Sequence, residues 1–306
     1  MIEYSVSLCY YQAKGNLWEV LMEPILSSSK ADGIADYDKN FRASWKRIFT
    51  EYRQENVGDR MWLAGPSSSV FSLAGERFAV DLQIRRPQDL EALLPGLAED
   101  TSALSHILVT HEHDDHLCLP LMQALKDMPI RWYLPYNSHR EWVEATGISM
   151  DKITWLEPGD CFSIGKLRVR SFNTPHAKPG IPIFTQCGYE ITAPSGKILL
   201  PGDIRDYEYD AYPDFGKVDL CISHLWAGDD SIHPEQYLPL MKQFTERIAG
   251  FHADRYFLCH LYEIARDEQH LWDFSHAGTA MQMLYHTLPE CEVQIPRIGR
   301  SYPFSF

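Results

Sequence analysis

The sequence predicts an α/β fold in which two β-sheets pack face to face and helices cover their outer faces. Three observations lead to this expectation. Short apolar segments are separated by Gly and Pro residues, two longer segments have the pattern of β-hairpins, and each run of strands is followed by alternating helices and strands. Hairpins outnumber parallel strand–helix–strand units in this interpretation, which favours a layered sandwich over a doubly wound sheet.

The first block of strands begins at Arg60. A β-meander is predicted for RMWLAG, SVFSLAG and RFAVDLQ, because turn residues punctuate these apolar segments. A buried strand is predicted for HILVT, and a helix with Pro120 in its first turn for LPLMQALKD. The segment NSHREWVEATG then predicts a short helix that is capped by Asn137 or Ser138.

The second block repeats this arrangement further along the chain. One hairpin is predicted for CFSIGKLRVRSFNTPH, turning at Ile164-Gly165, and another for CGYEITAPSGKILLPGD, turning at Ser195-Gly196. Strands are predicted for VDLCISH, RYFLCHL and CEVQI, and helices for PEQYLPLMKQFTERIAG and SHAGTAMQMLYHTL.

Residues 1–57 are predicted to be an N-terminal extension ahead of a main domain over residues 58–306. The extension contains an amphipathic helix that begins near Asp36 or Asp38. The apolar positions at helical spacing are Tyr37, Phe41, Trp45, Ile48, Phe49 and Tyr52. We expect this face to pack on the core. A subunit interface, and so a homo-oligomer, is the open alternative, and the mixed charge of the polar face disfavours a membrane surface.

Composition restricts the partners of the chain. A net charge of −14, with 42 acidic against 28 basic residues, disfavours nucleic acid. No leader-type N-terminus and no apolar run of about 18 residues is present, so no membrane partner is expected. The seven cysteines are an odd number without a C-x-x-C pair, which indicates free thiols in a reducing compartment. We therefore expect a cytoplasmic protein that acts on a small molecule.

The six residues HEHDDH directly follow the strand HILVT. His111 and His113 stand two residues apart in an extended turn, where their side chains can converge, and Asp115 and His116 follow as the chain enters a helix. Imidazole nitrogens and carboxylate oxygens are ligands for borderline divalent metals, zinc above all. The cluster therefore predicts a metal site. Glu112 and Asp114, in the intervening positions, are expected to point away from it.

Three distant residues strengthen this prediction. His176, Asp203 and His260 each follow or end an apolar strand, in the segments RSFNTPH, ILLPGD and RYFLCH. Loops at the ends of strands gather at one side of a sandwich, where functional side chains are usually placed. A single polar residue at a strand end is commonly structural, but four ligand-bearing segments in this order make coincidence improbable.

With the motif H-x-H-x-D-H followed by a distal His, an Asp and a final His, the chain resembles the metallo-β-lactamase superfamily. The phrases LVTHEHDDH and LLPGD, with the long N-terminal extension, are most similar to the branch that contains L-ascorbate-6-phosphate lactonase. The resemblance implies a four-layer αββα sandwich. It also implies that His111, His113 and His176 bind a first metal, that Asp115, His116 and His260 bind a second, and that Asp203 bridges the two.

The resemblance further implies a hydrolase with two divalent metal ions, with zinc expected first and manganese or iron as alternatives. Two such ions about 3.5–4 Å apart lower the pKa of a bound water from 15.7 toward about 7 and so provide a bridging hydroxide. Asp115 is the expected proton carrier to the leaving group. The expected substrate is a small ester-like or anionic molecule such as a sugar-phosphate lactone. A phosphodiesterase of the nucleotide or phospholipid type, and a non-catalytic metal-binding sensor, remain open.

Five further residues are candidates for contact with the substrate. His224 ends a strand, and His276 lies in the first turn of a predicted helix, where an anion can bind. Arg205 and Tyr207 follow Asp203 closely, and Lys178 follows His176. Arg205 is expected either to bind a phosphate or carboxylate or to form an ordinary surface ion pair.

Overall fold

The fold was analysed in a computed structural model. The structure describes residues 30–176, 184–228, 234–262, 272–304 and 306, and only the backbone of residues 30–39, 184 and 185. None of the helices in these ranges is long and apolar enough to cross a membrane. The six cysteines that the structure describes all carry free thiols.

Two seven-stranded sheets lie at the centre of the described chain. The strands of the first sheet are β1 (Arg60–Leu63), β2 (Ser69–Leu73), β3 (Glu76–Val80), β4 (His106–Leu108), β5 (Arg131–Pro135), β6 (Ile153–Leu156) and β14 (Ser301–Pro303). Their order is β14-β1-β2-β3-β4-β5-β6. The sheet is antiparallel from β14 to β3 and parallel from β3 to β6.

The second sheet has the same plan. Its strands are β7 (Cys161–Ile164), β8 (Leu167–His176), β9 (Phe184–Ala193), β10 (Gly196–Gly202), β11 (Val218–His224), β12 (Ala253–Cys259) and β13 (Glu292–Gln294). Strands β7 to β10 pair in antiparallel fashion, and β10 to β13 pair in parallel. Strands β3 and β10 therefore occupy equivalent places, each at the change from antiparallel to parallel pairing.

Helices cover both outer faces. They are α1 (Lys30–Tyr52), α2 (Pro87–Asp100), α3 (Leu119–Ala124), α4 (Arg140–Ala145), α5 (Pro234–Ala249) and α6 (Phe274–Thr287), with a short 3₁₀ turn at Met150–Lys152. Helices α1 to α4 share one apolar cluster with the outer face of the first sheet, and α5 and α6 share another with the second sheet. A third cluster lies between the sheets. The predicted four-layer αββα sandwich is confirmed.

Side chains along the central strands point alternately to the helices and to the other sheet, which explains the four layers. In β4, Ile107 faces the helices and Leu108 faces the second sheet. In β11, Cys221 faces the helices and Ile222 faces the first sheet. All four side chains are at most 1% exposed. Strands that are covered on both faces are apolar on both faces, which is why the sequence here shows continuous apolar runs instead of a polar alternation.

Helix α1 is longer than predicted. It begins at Lys30, so Asp36 and Asp38 lie inside the helix and the predicted start near them was wrong. Five of its apolar side chains are buried in the cluster that covers the first sheet, as the pattern predicted: Phe41, Trp45, Ile48, Phe49 and Tyr52. The sixth, Tyr37, lies outside the described side chains. The boundary at residue 57 remains a prediction.

Several local predictions also need correction. The N-cap of α4 is His139, not Asn137 or Ser138, and no side chain caps this helix. Each hairpin turn is displaced by one residue, because β7 continues through Ile164 and β10 begins at Gly196. Within the described chain, parallel and antiparallel pairings are equally frequent, at six each. The sandwich prediction was therefore right, although its supporting count of hairpins was not.

Candidate metal centre

The candidate site lies where five strands end. His111 follows β4, His176 ends β8, Asp203 follows β10, His224 ends β11, and His260 follows β12. Strands β10, β11 and β12 are parallel neighbours, and β8 runs in the same direction because β9 lies between it and β10. The carboxyl ends of these strands therefore meet at one edge, which brings residues distant in sequence together.

Three histidines form a first group. The donor nitrogens of His111, His113 and His176 lie within 4.8 Å of one another, and His111 Nε2 is 3.0 Å from His113 Nδ1. Burial, together with nearby imidazoles, holds the pKa of His111 well below its ordinary value and lowers that of His113 to about 4. Both rings are consequently neutral at pH 7 and have a lone pair for a metal. His113 is half-buried, so this group is the one nearer to solvent.

A second group lies beside the first. The donor atoms of His116, Asp203, His224 and His260 lie within 4.8 Å of one another, and all four side chains are buried. Asp115 joins this group, because its Oδ2 is 3.2 Å from His260 Nε2 and 3.6 Å from His116 Nε2. The prediction had placed His224 with the substrate contacts. The structure places it among the buried donors.

Asp203 lies between the two groups. Its Oδ2 is 3.7 Å from His176 Nε2 in the first group and 3.8 Å from His260 Nε2 in the second. Burial alone would raise the pKa of this carboxyl, but the charges of His260 and His116 hold it well below its ordinary value. An ionised carboxylate is therefore placed where it reaches donors of both groups.

The residues fit divalent metal ions. His116 Nε2 is buried and has no hydrogen-bond partner among the described residues, yet it lies 3.5 Å from an Asp203 oxygen and 3.6 Å from an Asp115 oxygen. Burial would lower the pKa of His116, but Asp115, Asp203 and Asp81 raise it well above its ordinary value. A nitrogen that faces two carboxylates without a hydrogen bond is what a metal site requires, since the cation then takes the place of a proton.

Asp81, which was not predicted from the sequence, supports this group. Asp81 is fully buried after β3, and its Oδ2 accepts a hydrogen bond of 2.8 Å from His116 Nδ1. Its two oxygens also accept from the backbone N–H and the hydroxyl of Thr110, at 2.7 and 2.8 Å. A carboxylate on one ring nitrogen fixes the other as the metal-facing lone pair. The available signal was the position of Asp81 at the end of the apolar segment RFAV, the same signal that had identified Asp203.

A loop before β2 connects two of the segments that carry candidate donor residues. The Ser67 hydroxyl donates to the carbonyl of Asp115 at 2.5 Å, and the carbonyl of Pro66 accepts from the backbone N–H of His260 at 2.8 Å. His260 itself has a φ of +69°, which costs a non-glycine residue about 1–3 kcal/mol. The strained backbone at His260 is thus held by the same loop that holds Asp115.

The two intervening residues of the motif point elsewhere. The Glu112 carboxylate accepts from the backbone N–H and the Nδ1–H of His139, at 2.9 and 2.7 Å. Asp114 is exposed and pairs with Arg85 at 2.9 Å. Neither carboxylate is among the grouped donor atoms.

Of the predicted substrate contacts, Arg205 lies beside the site. Its side chain is only 7% exposed, its Nη2 is 3.6 Å from Asp203 Oδ2, and its guanidinium lies over the Trp226 ring at 5.0 Å. It is therefore not an ordinary surface ion pair. Tyr207 is partly buried against the cluster that covers the second sheet, and its hydroxyl donates to the carbonyl of Trp226 at 2.7 Å.

The other two candidates are placed differently. His276 belongs to the N-terminal cap of α6: its backbone N–H donates to the Asp273 side chain, and its side chain accepts from the Asp273 backbone N–H. Its Nδ1 also lies 2.7 Å from Asp273 Oδ1, and its ring packs against Tyr237 and Trp272. Lys178 lies outside the described residues.

Comparison with known proteins agrees with this architecture. A family model described as "Beta-lactamase superfamily domain" matches residues 72–261, which include every grouped donor residue. The UPF0173 protein PF0020 of Pyrococcus furiosus is 28% identical over 158 residues, which are 51% of this chain and 69% of that protein.

Solved structures share the fold at low sequence identity. The diiron β-hydroxylase CmlA from Streptomyces venezuelae has a TM-score of 0.58 at 14% identity and matches 81% of this chain, which spans only 54% of CmlA. Igni18, a metallo hydrolase from Ignicoccus hospitalis, has a TM-score of 0.54 at 16% identity, covering 81% of this chain and 99% of that one. An isothiocyanate hydrolase from Delia radicum gut bacteria has a TM-score of 0.54 at 18% identity, covering 80% and 99%.

Proposed function

Because this chain belongs to the metallo-β-lactamase superfamily, we propose that it is a dinuclear metal-dependent hydrolase of a small, anionic, ester-like substrate. The observation that carries the proposal is the pair of adjacent donor groups with Asp203 between them. One group alone would suit a structural ion, but two groups that share a carboxylate suit the two-metal chemistry of ester and phosphoester hydrolysis.

We assign His111, His113 and His176 to the first metal, and Asp115, His116 and His260 to the second, with Asp203 between them. The separations of the donor atoms support this assignment, because neighbouring ligands at about 2.0–2.1 Å from one ion lie roughly 2.8–3.4 Å apart. His111 Nε2 and His113 Nδ1 are 3.0 Å apart, and His260 Nε2 and Asp115 Oδ2 are 3.2 Å apart. Nitrogen and oxygen donors suit zinc first, with manganese and iron as alternatives.

When bound, the ions would lower the pKa of water and stabilise negative charge on the reacting oxygen. The chain itself supplies the proton carrier, which we assign to Asp115. Burial would raise the pKa of this carboxyl, but His116 and His260 hold it well below its ordinary value, so it is ionised at pH 7 and, once protonated, would be a strong acid toward the leaving group. Its side chain is 9% exposed, more than that of His116 or Asp203, which places it toward the open side.

Arg205 supports an anionic substrate. Its guanidinium is almost fully buried beside Asp203, and the aromatic ring of Trp226 covers one of its faces. Burying a cation close to two metal ions is costly unless a further anion balances the charge. A phosphate or carboxylate on the substrate would provide that anion and would bind the guanidinium through charge-assisted hydrogen bonds. A sugar-phosphate lactone combines this anion with a hydrolysable ester.

The proposal is tested by assaying metal-reconstituted protein on three substrates: a phosphate-bearing lactone, a neutral lactone and a bis-aryl phosphate. Faster hydrolysis of the phosphate-bearing lactone, lost in metal-free protein and in Asp115→Asn, is expected. Preference for the bis-aryl phosphate would make the chain a phosphodiesterase. Two bound metals without hydrolysis of any substrate would contradict an enzymatic role and favour a sensor.

A further inference from the structure

The two oxygens of Asp203 face different partners. Oδ2 points toward the junction of the two groups, where His176 Nε2 and His260 Nε2 lie 3.7 and 3.8 Å away. Oδ1 points toward His116 Nε2 at 3.5 Å and His224 Nδ1 at 2.8 Å. Oδ2 therefore lies near donors of both groups, and rotation of the carboxylate about its Cβ–Cγ bond would remove it from that position.

His224 is the side chain that opposes this rotation. Its separation of 2.8 Å from Asp203 Oδ1 is an ordinary hydrogen-bond length. Since the Asp203 carboxylate only accepts, His224 Nδ1 carries the proton and donates it. The His224 ring is itself held, because it stacks on His260 with centroids 5.1 Å apart and an interplanar angle of 26°.

The backbone of Asp203 is fixed separately. The Gln186 side chain, fully buried on β9, accepts from Asp203 N–H at 2.9 Å and donates to the Asp203 carbonyl at 3.1 Å. The residue before it, Gly202, has a φ of +70°, and a Cβ there would lie 2.8 Å from the Gln186 amide. These hydrogen bonds of the Gln186 amide take the place of backbone hydrogen bonds that β10 lacks near its end, where the register of its pairing with β11 shifts. With the backbone fixed, the two side-chain torsions of Asp203 remain free, and the hydrogen bond from His224 to Oδ1 restrains them.

We propose that His224 is a positioning residue, not a metal ligand or a substrate contact. Its hydrogen bond to Oδ1 orients Asp203 so that Oδ2 is directed at both metal positions. This inference rests on the proposed two-metal function. Losing the bond should leave all assigned ligands in place while weakening the binding of both ions, because the shared carboxylate would sample orientations that do not join them. Loss of a partner that orients a ligand typically costs about 10–100-fold in metal affinity.

Two amide substitutions separate the alternatives. In His224→Asn the amide nitrogen lies near the position of imidazole Nδ1 and can still donate to Oδ1, whereas in His224→Gln it lies near the position of Nε2. The protein is loaded with cobalt(II). Metal content is measured by elemental analysis, affinity by competition with a chelator, and magnetic coupling of the two ions by electron paramagnetic resonance. Coupling reports on the shared carboxylate, and a general loss of stability would not change it selectively.

We expect wild type and His224→Asn to hold two coupled cobalt ions with affinities within about threefold of each other. His224→Gln should bind cobalt about 10–100-fold more weakly and show altered coupling at full loading. Equal loss of one ion in both variants would identify His224 as a ligand, and wild-type behaviour of both variants would show that it does not position Asp203. Either result overturns the inference. If wild type itself fails to bind two ions, the proposed function fails instead.

Discussion

Asp81 Oδ2 accepts a hydrogen bond from His116 Nδ1 across 2.8 Å, in a location where neither side chain is exposed. Asp81 follows β3 and His116 lies beyond β4, and these two strands are parallel neighbours in the first sheet. The contact holds the proton of the neutral His116 ring on Nδ1, so that Nε2, which faces Asp115 and Asp203, has a lone pair once a metal ion takes the place of the proton that these carboxylates favour. A carboxylate that holds a histidine in this way aims the other ring nitrogen at a metal position and so strengthens binding there.

Asp81→Asn should lower the affinity for the second metal ion by about 10–100-fold. If the oxygen of the introduced amide keeps the bond from Thr110 N–H, the amide nitrogen faces His116 Nδ1, so the ring must accept there and carry its proton on Nε2. Competition with a chelator measures the affinity. The control is Asp114→Asn in the same motif, whose carboxylate is 82% exposed and pairs with Arg85. Equal affinity in the two variants would refute the orienting role of Asp81.

Removing metal should lower the melting temperature. A ligand that is present at 100 times its Kd stabilises the folded state by about 2.7 kcal/mol, and each kcal/mol shifts the melting temperature of a domain of this size by about 2–4 °C. We therefore expect exhaustive chelation to lower it by roughly 5–10 °C, with a smaller change in His113→Ala. Differential scanning calorimetry provides the measurement. A melting curve that does not respond to the chelator would count against metal in this site.

Arg205→Gln should reduce binding of anionic substrates selectively. Hydrogen bonds to charged groups contribute about 1.5–3 kcal/mol, which corresponds to a rise in KM of roughly 10–150-fold for a phosphate-bearing ester. KM for the matching neutral ester should stay within about twofold. Arg168→Gln, at an exposed position on the strand that ends in His176, serves as the control. Parallel loss of both substrates in Arg205→Gln would show that the guanidinium supports the fold and does not bind the anion.

Asp273 should make the free energy of unfolding depend on pH. Burial would raise its pKa, but hydrogen bonds from His276 and Ser275 lower it to about 2. Because the folded-state value is depressed, the stabilisation is complete above the unfolded value of about 3.9 and disappears as pH falls toward 2. Asp273→Asn keeps a side-chain acceptor for the cap but removes the charge. We expect urea unfolding to give Asp273→Asn a free energy of unfolding about 1–2 kcal/mol below that of wild type at pH 6, and this difference should shrink between pH 4 and 2. A difference that does not change with pH would contradict the depressed pKa of Asp273.

Much of the fold was predictable because its signals are local. Glycine and proline mark the turns, and apolar runs mark the buried strands on either side of them. The parallel strands β5 and β6 and helix α2 were not predicted. Helix α2 contains Pro95 followed by Gly96, a pair that normally ends a helix, and it persists because Leu90, Leu93 and Leu97 pack on the first sheet. Here tertiary packing outweighs local preference.

The residues of the candidate site also divide into those that local sequence identifies and those that only the fold brings into place. The motif residues His111 to His116 could be identified because their spacing is itself the signal. Asp81 and His224 could not be assigned from spacing, since their roles arise from the pairing of β3 with β4 and of β10 with β11. Both are polar residues at the ends of apolar strands, and only the sheet order shows which candidate ligand each one faces.

Two metal ions bound side by side can be counted by elemental analysis of protein purified without chelator. We expect two divalent ions per chain in wild type and one in His113→Ala, because removing one of three histidines from the first group leaves the second group intact. Two ions retained in His113→Ala would contradict the ligand assignment, and fewer than two in metal-saturated wild type would contradict the dinuclear centre.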